Sequence, residues 1–210
     1  METKPKRPGR SPERGGRWAV LGGVFDPVHY GHLTLADDLY KAEKYDGILL
    51  VPSFSPPHKN HTTAASYADR LAMLRLAVQG KESYVLSEIE SEMDQPGYTV
   101  NTVRALKTRY PKATFYFIIG ADNIGEIRSW YHPEEIFQEV EVVAGARPGF
   151  RPDQSNGPFA ERIRLVPTGM VDVSSSEIRQ KIRDGITIKE LSKLVPSRVA
   201  EYIDDRRLYR

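Results

Sequence analysis

The stretch Gly22-Gly23-Val24-Phe25-Asp26-Pro27-Val28-His29-Tyr30-Gly31-His32 decides the fold. It follows an apolar run at residues 18–21 and precedes a segment in which Leu33, Ala36 and Tyr40 share one helical face. Glycines let the backbone approach a ligand closely, and the free N–H groups at a helix start attract anions. The sequence therefore predicts a phosphate-binding turn between a first strand and a first helix.

Further apolar runs of strand length alternate with segments of helical periodicity along the chain. The predicted strands after the first cover residues 48–51, 84–86, 115–119, 140–144 and 163–166. The predicted helical faces carry Leu71, Leu74 and Val78; Val103, Leu106 and Tyr110; Ile178 and Ile182; and Val199, Tyr202 and Ile203. This alternation predicts an α/β fold, Rossmann-like and doubly wound, with a mainly parallel sheet and helices on both faces. Two long connections, residues 52–66 and 147–158, follow strands and are expected to border a site.

Composition excludes several classes of protein. Hydrophobic residues make up 40% of the 210 residues and charged residues 28%, which is typical of a globular chain with a buried core. No apolar run reaches the ~18 residues of a membrane span, and the first residues lack the apolar core of a signal peptide, so a cytoplasmic protein without membrane contact is predicted. The absence of cysteine excludes a disulfide scaffold, a thiolate zinc site and a cysteine nucleophile.

Charge is concentrated at the beginning of the chain. Residues 1–17 carry six basic and two acidic side chains, a local charge of +4 against a formal net charge of +2 for the whole protein. Because this segment is rich in Pro, Gly and Arg and poor in apolar residues, residues 1–16 are predicted to be a disordered tail before a single domain at residues 17–210. Nucleic acid could bind such a tail through its phosphates, but composition favours a solvated extension, and no nucleic-acid partner is expected.

His29 and His32 are the first candidates for chemistry. Each imidazole can donate a hydrogen bond to a phosphate oxygen, and a cationic one would also offset developing charge. A helix cap with a packed ring is the structural alternative. The turn is neither a Walker A loop nor the Gly-x-Gly-x-x-Gly of dinucleotide binding. Its position at the strand–helix junction favours a role in phosphate binding.

The segment from Ser174 to Arg179 and Asp122 are further candidates. Ser174 and Glu177 have the spacing of a capping box, and Arg179 lies one turn further, where its guanidinium could reach phosphate oxygens. Asp122 follows the fourth predicted strand and could equally be the N-cap of a short helix.

Loop residues supply the remaining candidates. Trp130 and Tyr131 are either core aromatics or loop residues, and their polar flanks favour a loop. Lys59 is either a solvated cation or a phosphate clamp. His58 and His61 repeat the spacing of His29 and His32, so a four-histidine zinc site is an alternative that requires a rigid loop.

The chain as a whole resembles the nucleotidyltransferase superfamily marked by Gly-x-Phe-x-Pro-x-His-x-Gly-His, and within it the bacterial nicotinate-nucleotide adenylyltransferases. The resemblance runs from about Trp18 to Arg210. Besides the turn, it rests on Pro56-Pro57-His58-Lys59, Tyr98-Thr99-Val100-Asn101-Thr102, Phe117-Ile118-Ile119-Gly120-Ala121-Asp122, Trp130-Tyr131, Ala146-Arg147-Pro148-Gly149, Ser174-Ser175-Ser176-Glu177-Ile178-Arg179, and the ending from Tyr202-Ile203 to Leu208-Tyr209-Arg210. Val24 and Ser176 stand where the family usually has Thr, and Gly97 where Ser commonly precedes Tyr-Thr.

The resemblance implies transfer of AMP from ATP to nicotinate mononucleotide with release of pyrophosphate, without a general base. It implies Mg²⁺ held mainly by substrate phosphates, with no dedicated protein metal site, and leaves a homo-oligomer open. The implied catalytic residues are His29, His32 and Arg179. The implied ATP contacts are Gly22, Gly23, Val24, Phe25, His29, His32, Gly120, Asp122, Ser175, Ser176 and Arg179, and the implied nicotinate mononucleotide contacts are Lys59, Thr99, Trp130 and Tyr131.

Three alternatives remain at this point. Pantetheine-phosphate adenylyltransferases and cytidylyltransferases share the His-x-Gly-His turn, but they are shorter and are not expected to carry Tyr98-Thr99 together with Trp130-Tyr131. A catalytically silent nucleotide-binding regulator is the third, and the intact His29, His32 and Arg179 argue against it.

Overall fold

Six parallel strands form the centre of the protein. The computed structural model describes residues 10–55, 63–146, 149–150, 157–169 and 171–210. The strands are β1 (Gly16–Gly23), β2 (Gly47–Pro52), β3 (Tyr84–Leu86), β4 (Ala113–Gly120), β5 (Glu141–Ala146) and β6 (Arg164–Pro167). They pair in the order β3-β2-β1-β4-β5-β6, and every pair is parallel. The predicted α/β fold with a parallel sheet is confirmed.

Helices cover both faces of this sheet. They are α1 (Tyr30–Glu43), α2 (Tyr67–Ala77), α3 (Thr99–Arg109), α4 (Pro133–Glu139), α5 (Ser175–Arg183), α6 (Ile188–Leu191) and α7 (Ser197–Asp205). One face packs against α1, α2, α5, α6 and α7, and the other packs against α3, α4 and the 3-10 helix Ala121–Ser129. The doubly wound arrangement is therefore confirmed. The short helices α4 and α6 have too few residues for a periodic pattern and were not predicted.

Burial on both faces explains why the strands read as continuous apolar runs. All residues of β2 are buried. Ile48 and Leu50 belong to the core beneath α1, while Leu49 and Val51 belong to the core beneath α3. Successive side chains of a strand point to opposite faces, so a strand covered on both sides alternates between two apolar cores.

The chain reverses its direction of winding between β1 and β4. These strands are neighbours in the sheet, yet β1 is followed by α1 on one face and β4 by the 3-10 helix Ala121–Ser129 on the other. A crevice forms at the carboxyl ends of two strands whose connections diverge in this way, and ligands of open α/β sheets bind there. The glycine-rich turn after β1 and Gly120 at the end of β4 both lie at this edge.

The prediction of disorder is wrong for residues 10–16. Pro12–Arg14 form a 3-10 turn and Gly16 begins β1. The Arg10 guanidinium donates to the Tyr40 hydroxyl at 2.6 Å, and the Trp18 indole N–H donates to the Gly15 carbonyl at 2.9 Å. Tertiary hydrogen bonds thus order a segment whose composition offers no apolar core. Residues 1–9 lie outside the described ranges.

Candidate active site

Two cavities open at the switch point, which is the crevice at the carboxyl ends of β1 and β4. His32 lies in the wall of both. The larger, of about 360 Å³, is termed the aromatic cavity and is lined by residues that include Gly22, Gly23, Val24, Glu90, Tyr98, Thr99, Trp130 and Tyr131. The smaller, of about 300 Å³, is termed the serine cavity and is lined by residues that include His29, Gly31, Asp122, Ser174 and Ser175. His32, Leu35, Gly120 and Asn123 line both. A depression of about 440 Å³ between α5, α6 and α7 is larger, but none of the predicted site residues line it.

His29 and His32 are held rigidly at the start of α1. His29 is the N-cap residue, and its backbone N–H donates to Nδ1 of His32 at 3.3 Å. The two rings are tilted by 30° to each other with centroids 3.7 Å apart, and the buried Phe25 ring makes an edge contact with His32 at 5.0 Å between centroids. Because Nδ1 of His32 accepts this hydrogen bond, the neutral ring carries its proton on Nε2.

Burial keeps both imidazoles neutral. Loss of hydration lowers the pKa of His29 to about 4, although Glu177 opposes the shift. It also lowers the pKa of His32 well below its usual range, and the neighbouring His29 adds to the effect. A neutral imidazole can still donate one N–H to a phosphate oxygen, so the site offers hydrogen-bond donors before an anion arrives.

Arg70 of α2 holds the glycine-rich turn from behind. Its side chain is 1% exposed. The guanidinium donates to the Val24 carbonyl at 2.7 Å and to the Ser53 carbonyl at 2.8 Å, joining the turn to the chain that leaves β2. Sequence reasoning missed this residue because an arginine on an amphipathic helix reads as a solvated cation.

The first turn of α5 is bonded to the same glycine-rich turn. The Ser175 hydroxyl donates to the Pro27 carbonyl at 2.9 Å, and Arg179 donates to the Asp26 carbonyl at 2.7 Å and to the Ser176 hydroxyl at 3.3 Å. The predicted capping box is confirmed, since the Ser174 hydroxyl accepts from the Glu177 N–H and the Glu177 carboxylate accepts from Ser174. Ser175 lines the serine cavity. The guanidinium of Arg179 contacts the backbone of the glycine-rich turn.

Gly120 and Asp122 form the other wall of the serine cavity. Gly120, and not Asp122, is the N-cap of the 3-10 helix. A Cβ at Gly120 would lie 2.3 Å from the Asp122 carboxylate, so a larger residue there would require that carboxylate to move. Asp122, two residues after Gly120, is exposed and lines the cavity.

Thr99, Trp130 and Tyr131, which the family resemblance implied as acceptor contacts, line the aromatic cavity together. Tyr131 stacks on Tyr98 with ring centroids 4.2 Å apart, and Trp130 packs edge-on against Phe117 at 6.0 Å. Both Trp130 and Tyr131 follow the 3-10 helix, in agreement with the predicted loop. Thr99 is the first residue of α3, whose N-cap Tyr98 supplies no side-chain hydrogen bond. The first amides of α3 therefore remain suited to an anion.

Glu90 is a buried carboxylate in this cavity that sequence reasoning missed. It accepts from the Thr102 hydroxyl at 2.8 Å and from the Phe54 N–H at 3.2 Å. Burial raises its pKa, and the two hydrogen bonds and Arg70 oppose that shift. Gly97 lies against it, because a Cβ at Gly97 would be 2.2 Å from the carboxylate. Gly97 stands where the family commonly has Ser, and the absence of a side chain at this position leaves room for Glu90.

Several predicted residues lie outside the described part of the chain. These are Lys59, His58 and His61, and most of the predicted loop at residues 147–158. Among the residues that are described, no group of three or more His, Asp or Glu side chains could hold a metal ion. Arg70, Glu90, Tyr98 and Asn123 extend the predicted site.

The Rossmann-like sheet, with a histidine-containing glycine turn at its switch point, defines a nucleotidyltransferase. In agreement, a family model described as cytidylyltransferase-like matches residues 20–181. A protein from Exiguobacterium sibiricum is 38% identical over 90% of this chain and 97% of its own length. A protein from Geobacillus kaustophilus is 39% identical over 92% of this chain and 86% of its own length. Both carry the name probable nicotinate-nucleotide adenylyltransferase.

Solved structures share the fold. The Plasmodium falciparum nicotinic acid mononucleotide adenylyltransferase complexed with NaAD superposes with a TM-score of 0.76 at 24% identity, over 92% of this chain and 97% of that one. A nucleotidyltransferase fold with curated relatives along nearly its whole length leaves one assignment. The chain belongs to the cytidylyltransferase-like family and, within it, to the nicotinate-nucleotide adenylyltransferases.

Proposed function

We propose that this chain transfers AMP from ATP to nicotinate mononucleotide, giving nicotinate adenine dinucleotide and pyrophosphate. The observation that carries the proposal is the position of His32, which lines both the aromatic and the serine cavity. A transfer between two substrates requires both to reach one point. A donor at the junction of two cavities is placed to contact the group that passes between them.

The aromatic cavity suits a pyridine mononucleotide. Trp130 and Tyr131 offer flat faces and edges for an aromatic ring. The first amides of α3, beginning at Thr99, offer donors to a carboxylate. Glu90 lies in the same cavity and already accepts two hydrogen bonds, so it orders the wall instead of meeting the substrate carboxylate.

The serine cavity suits the polyphosphate of ATP. Its described lining combines the start of α1 at His29, the start of α5 at Ser175, and Gly120 next to Asp122. Two helix N-termini directed at one cavity favour a polyanion. We assign Gly22, Gly23, Val24 and Phe25 to ATP through their backbone, Ser176 and Arg179 to its outer phosphates, and Lys59 to the phosphate of the acceptor.

The chemistry needs positioning and charge stabilisation instead of a base. A phosphate monoester with a second pKa near ~6 is ionised at neutral pH, so its oxygen can attack the α-phosphorus directly. One P–O bond forms, the bond to the bridging oxygen of pyrophosphate breaks, and no proton is transferred. The Nε2–H of neutral His32 would donate to the α-phosphate, where charge rearranges in the transition state.

A divalent cation fits this donor set only as part of the substrate. Imidazole and hydroxyl groups line the serine cavity together with the single carboxylate of Asp122. Among the described residues, no group of three or more His, Asp or Glu side chains could hold a metal ion. Mg²⁺ prefers phosphate oxygens and water, and when bound to the triphosphate it neutralises part of the charge. We therefore propose Mg²⁺ as the physiological ion, carried mainly by ATP.

We also propose the extent of the catalytic domain, its compartment and its partners. We take the predicted domain at residues 17–210, extended to include the start of β1 at Gly16, as one catalytic domain acting in the cytoplasm, without nucleic acid, and with a homo-oligomer left open. Within the described ranges, no helix is long and apolar enough to cross a membrane.

A panel of acceptors tests the proposal. The protein is incubated with Mg²⁺-ATP and, separately, with nicotinate mononucleotide, nicotinamide mononucleotide, phosphopantetheine and glycerol phosphate, and pyrophosphate release is measured. A parallel series contains CTP. Fastest release with ATP and nicotinate mononucleotide supports the proposal. Phosphopantetheine as best acceptor, preference for CTP, or no turnover with any pair contradicts it.

A further inference from the structure

The Asp26 carboxylate connects three separate parts of the chain. Asp26 is 5% exposed and lies inside the glycine-rich turn, three residues before His29. Its two oxygens accept from the N–H groups of Ala64 at 2.7 Å and Ala65 at 3.1 Å, which precede α2. The Tyr209 hydroxyl, from the segment after α7, donates to the same carboxylate at 2.8 Å.

The buried Tyr209 hydroxyl is a fixed hydrogen-bond donor to the Asp26 carboxylate. Its side chain is 8% exposed, and burial together with the neighbouring Asp26 raises its pKa, so the hydroxyl keeps its proton. The backbone carbonyl of Asp26 meanwhile accepts from Arg179. A movement of Asp26 would therefore displace both the start of α1, which carries His29 and His32, and the guanidinium of Arg179.

We propose that Tyr209 is a positioning residue for adenylyl transfer, which acts through Asp26 to hold the glycine-rich turn in its reactive geometry. The inference rests on the proposed function. In-line transfer is sensitive to displacements of about 1 Å, so a donor that fixes the turn affects the chemical step even though it touches no substrate. Loss of the hydroxyl leaves the Asp26 carboxylate with its two backbone donors, so the turn loosens without unfolding.

Tyr209→Phe is the direct test, because it removes one oxygen and keeps the ring. We expect kcat with ATP and nicotinate mononucleotide to fall about tenfold while both KM values stay within about threefold. Tyr202→Phe is the matched control: its hydroxyl donates to Asp69 of α2 at 2.9 Å and has no contact with the turn. That variant should keep the kcat of the wild type.

Two further measurements separate positioning from stability alone. In a cycle with Asp26→Asn, the two substitutions should be non-additive in kcat, because both act on the hydrogen bond that joins the two side chains. Amide hydrogen exchange at Ala64 and Ala65 should quicken in Tyr209→Phe and not in Tyr202→Phe, and it can be read without any turnover. An inactive wild type would contradict the proposed function. The exchange rates of Ala64 and Ala65 would still test whether the hydrogen bond from Tyr209 to Asp26 holds the turn. Unchanged kcat in Tyr209→Phe, equal losses in both tyrosine variants, or unchanged exchange would overturn the inference.

Discussion

The backbone N–H of His29 donates to Nδ1 of His32 across the first turn of α1. This hydrogen bond fixes which nitrogen of His32 is protonated and directs Nε2–H away from the helix start. The residue that lines both cavities is therefore a neutral donor of defined orientation.

His32→Ala should lower kcat by about a hundredfold or more while changing the affinity for ATP only severalfold, because the lost donor acts on the transition state. His32→Gln, which places an amide N–H near the position of Nε2, should retain more activity than the alanine variant. Steady-state kinetics and an ATP-binding titration measure the two quantities. A loss confined to ATP binding would make His32 a binding residue.

The protein should lose stability as the pH falls from about 6.5 toward about 4. The pKa of His29 is about 4 in the folded protein and 6.5 in an unperturbed histidine. The unfolded chain therefore binds the proton more tightly, and the free energy of unfolding decreases on acidification, by up to about 3 kcal/mol from this residue.

Denaturant unfolding measured across that pH range checks this expectation. His29→Gln should flatten the dependence, since glutamine does not titrate. Equal slopes for wild type and His29→Gln would show that His29 does not contribute.

Arg70→Met should destabilise the protein by about 2–4 kcal/mol, because the partly buried carbonyls of Val24 and Ser53 lose the guanidinium that donates to both. It should also lower kcat/KM at least tenfold, since the turn is no longer joined to the chain after β2. Arg75 lies on the same helix in an exposed ion pair with Glu88. Arg75→Met should change stability by less than about 1 kcal/mol and leave kcat/KM unaltered. Similar results for the two variants would refute the anchoring role of Arg70.

Nicotinate mononucleotide should be preferred over nicotinamide mononucleotide by at least about a hundredfold in kcat/KM. In the proposed site a carboxylate would accept from the amides at the start of α3, whereas an amide group would set its NH₂ against a donor. Trp130→Ala should raise KM for either acceptor without changing their ratio, because an indole face does not distinguish the two groups. Comparable kcat/KM values for the two acceptors in the wild type would exclude recognition by these amides.

Local patterns in the sequence were sufficient to predict the strands, the edge of the sheet that carries the candidate site, and one helix cap. The apolar runs determined the six strands and the parallel sheet, because a strand buried on both faces must be continuously apolar, as β2 is. The turn at residues 22–32 determined where the ligand edge lies. The capping box of Ser174 and Glu177 could also be read directly, since its hydrogen bonds join residues three positions apart.

Only the tertiary structure decided how the turn is held. Arg70, Tyr209 and Asp26 come together from sequence separations of 46 residues for Arg70 to Val24 and 183 for Tyr209 to Asp26. No periodicity marks such partners, because a buried polar side chain is identified by what it contacts and not by its neighbours in sequence. The same reason explains residues 10–16: their composition predicts disorder, while hydrogen bonds such as that from Arg10 to Tyr40 order them. The sequence determined the elements and the edge at which chemistry occurs, and long-range packing determined which polar groups fix its geometry.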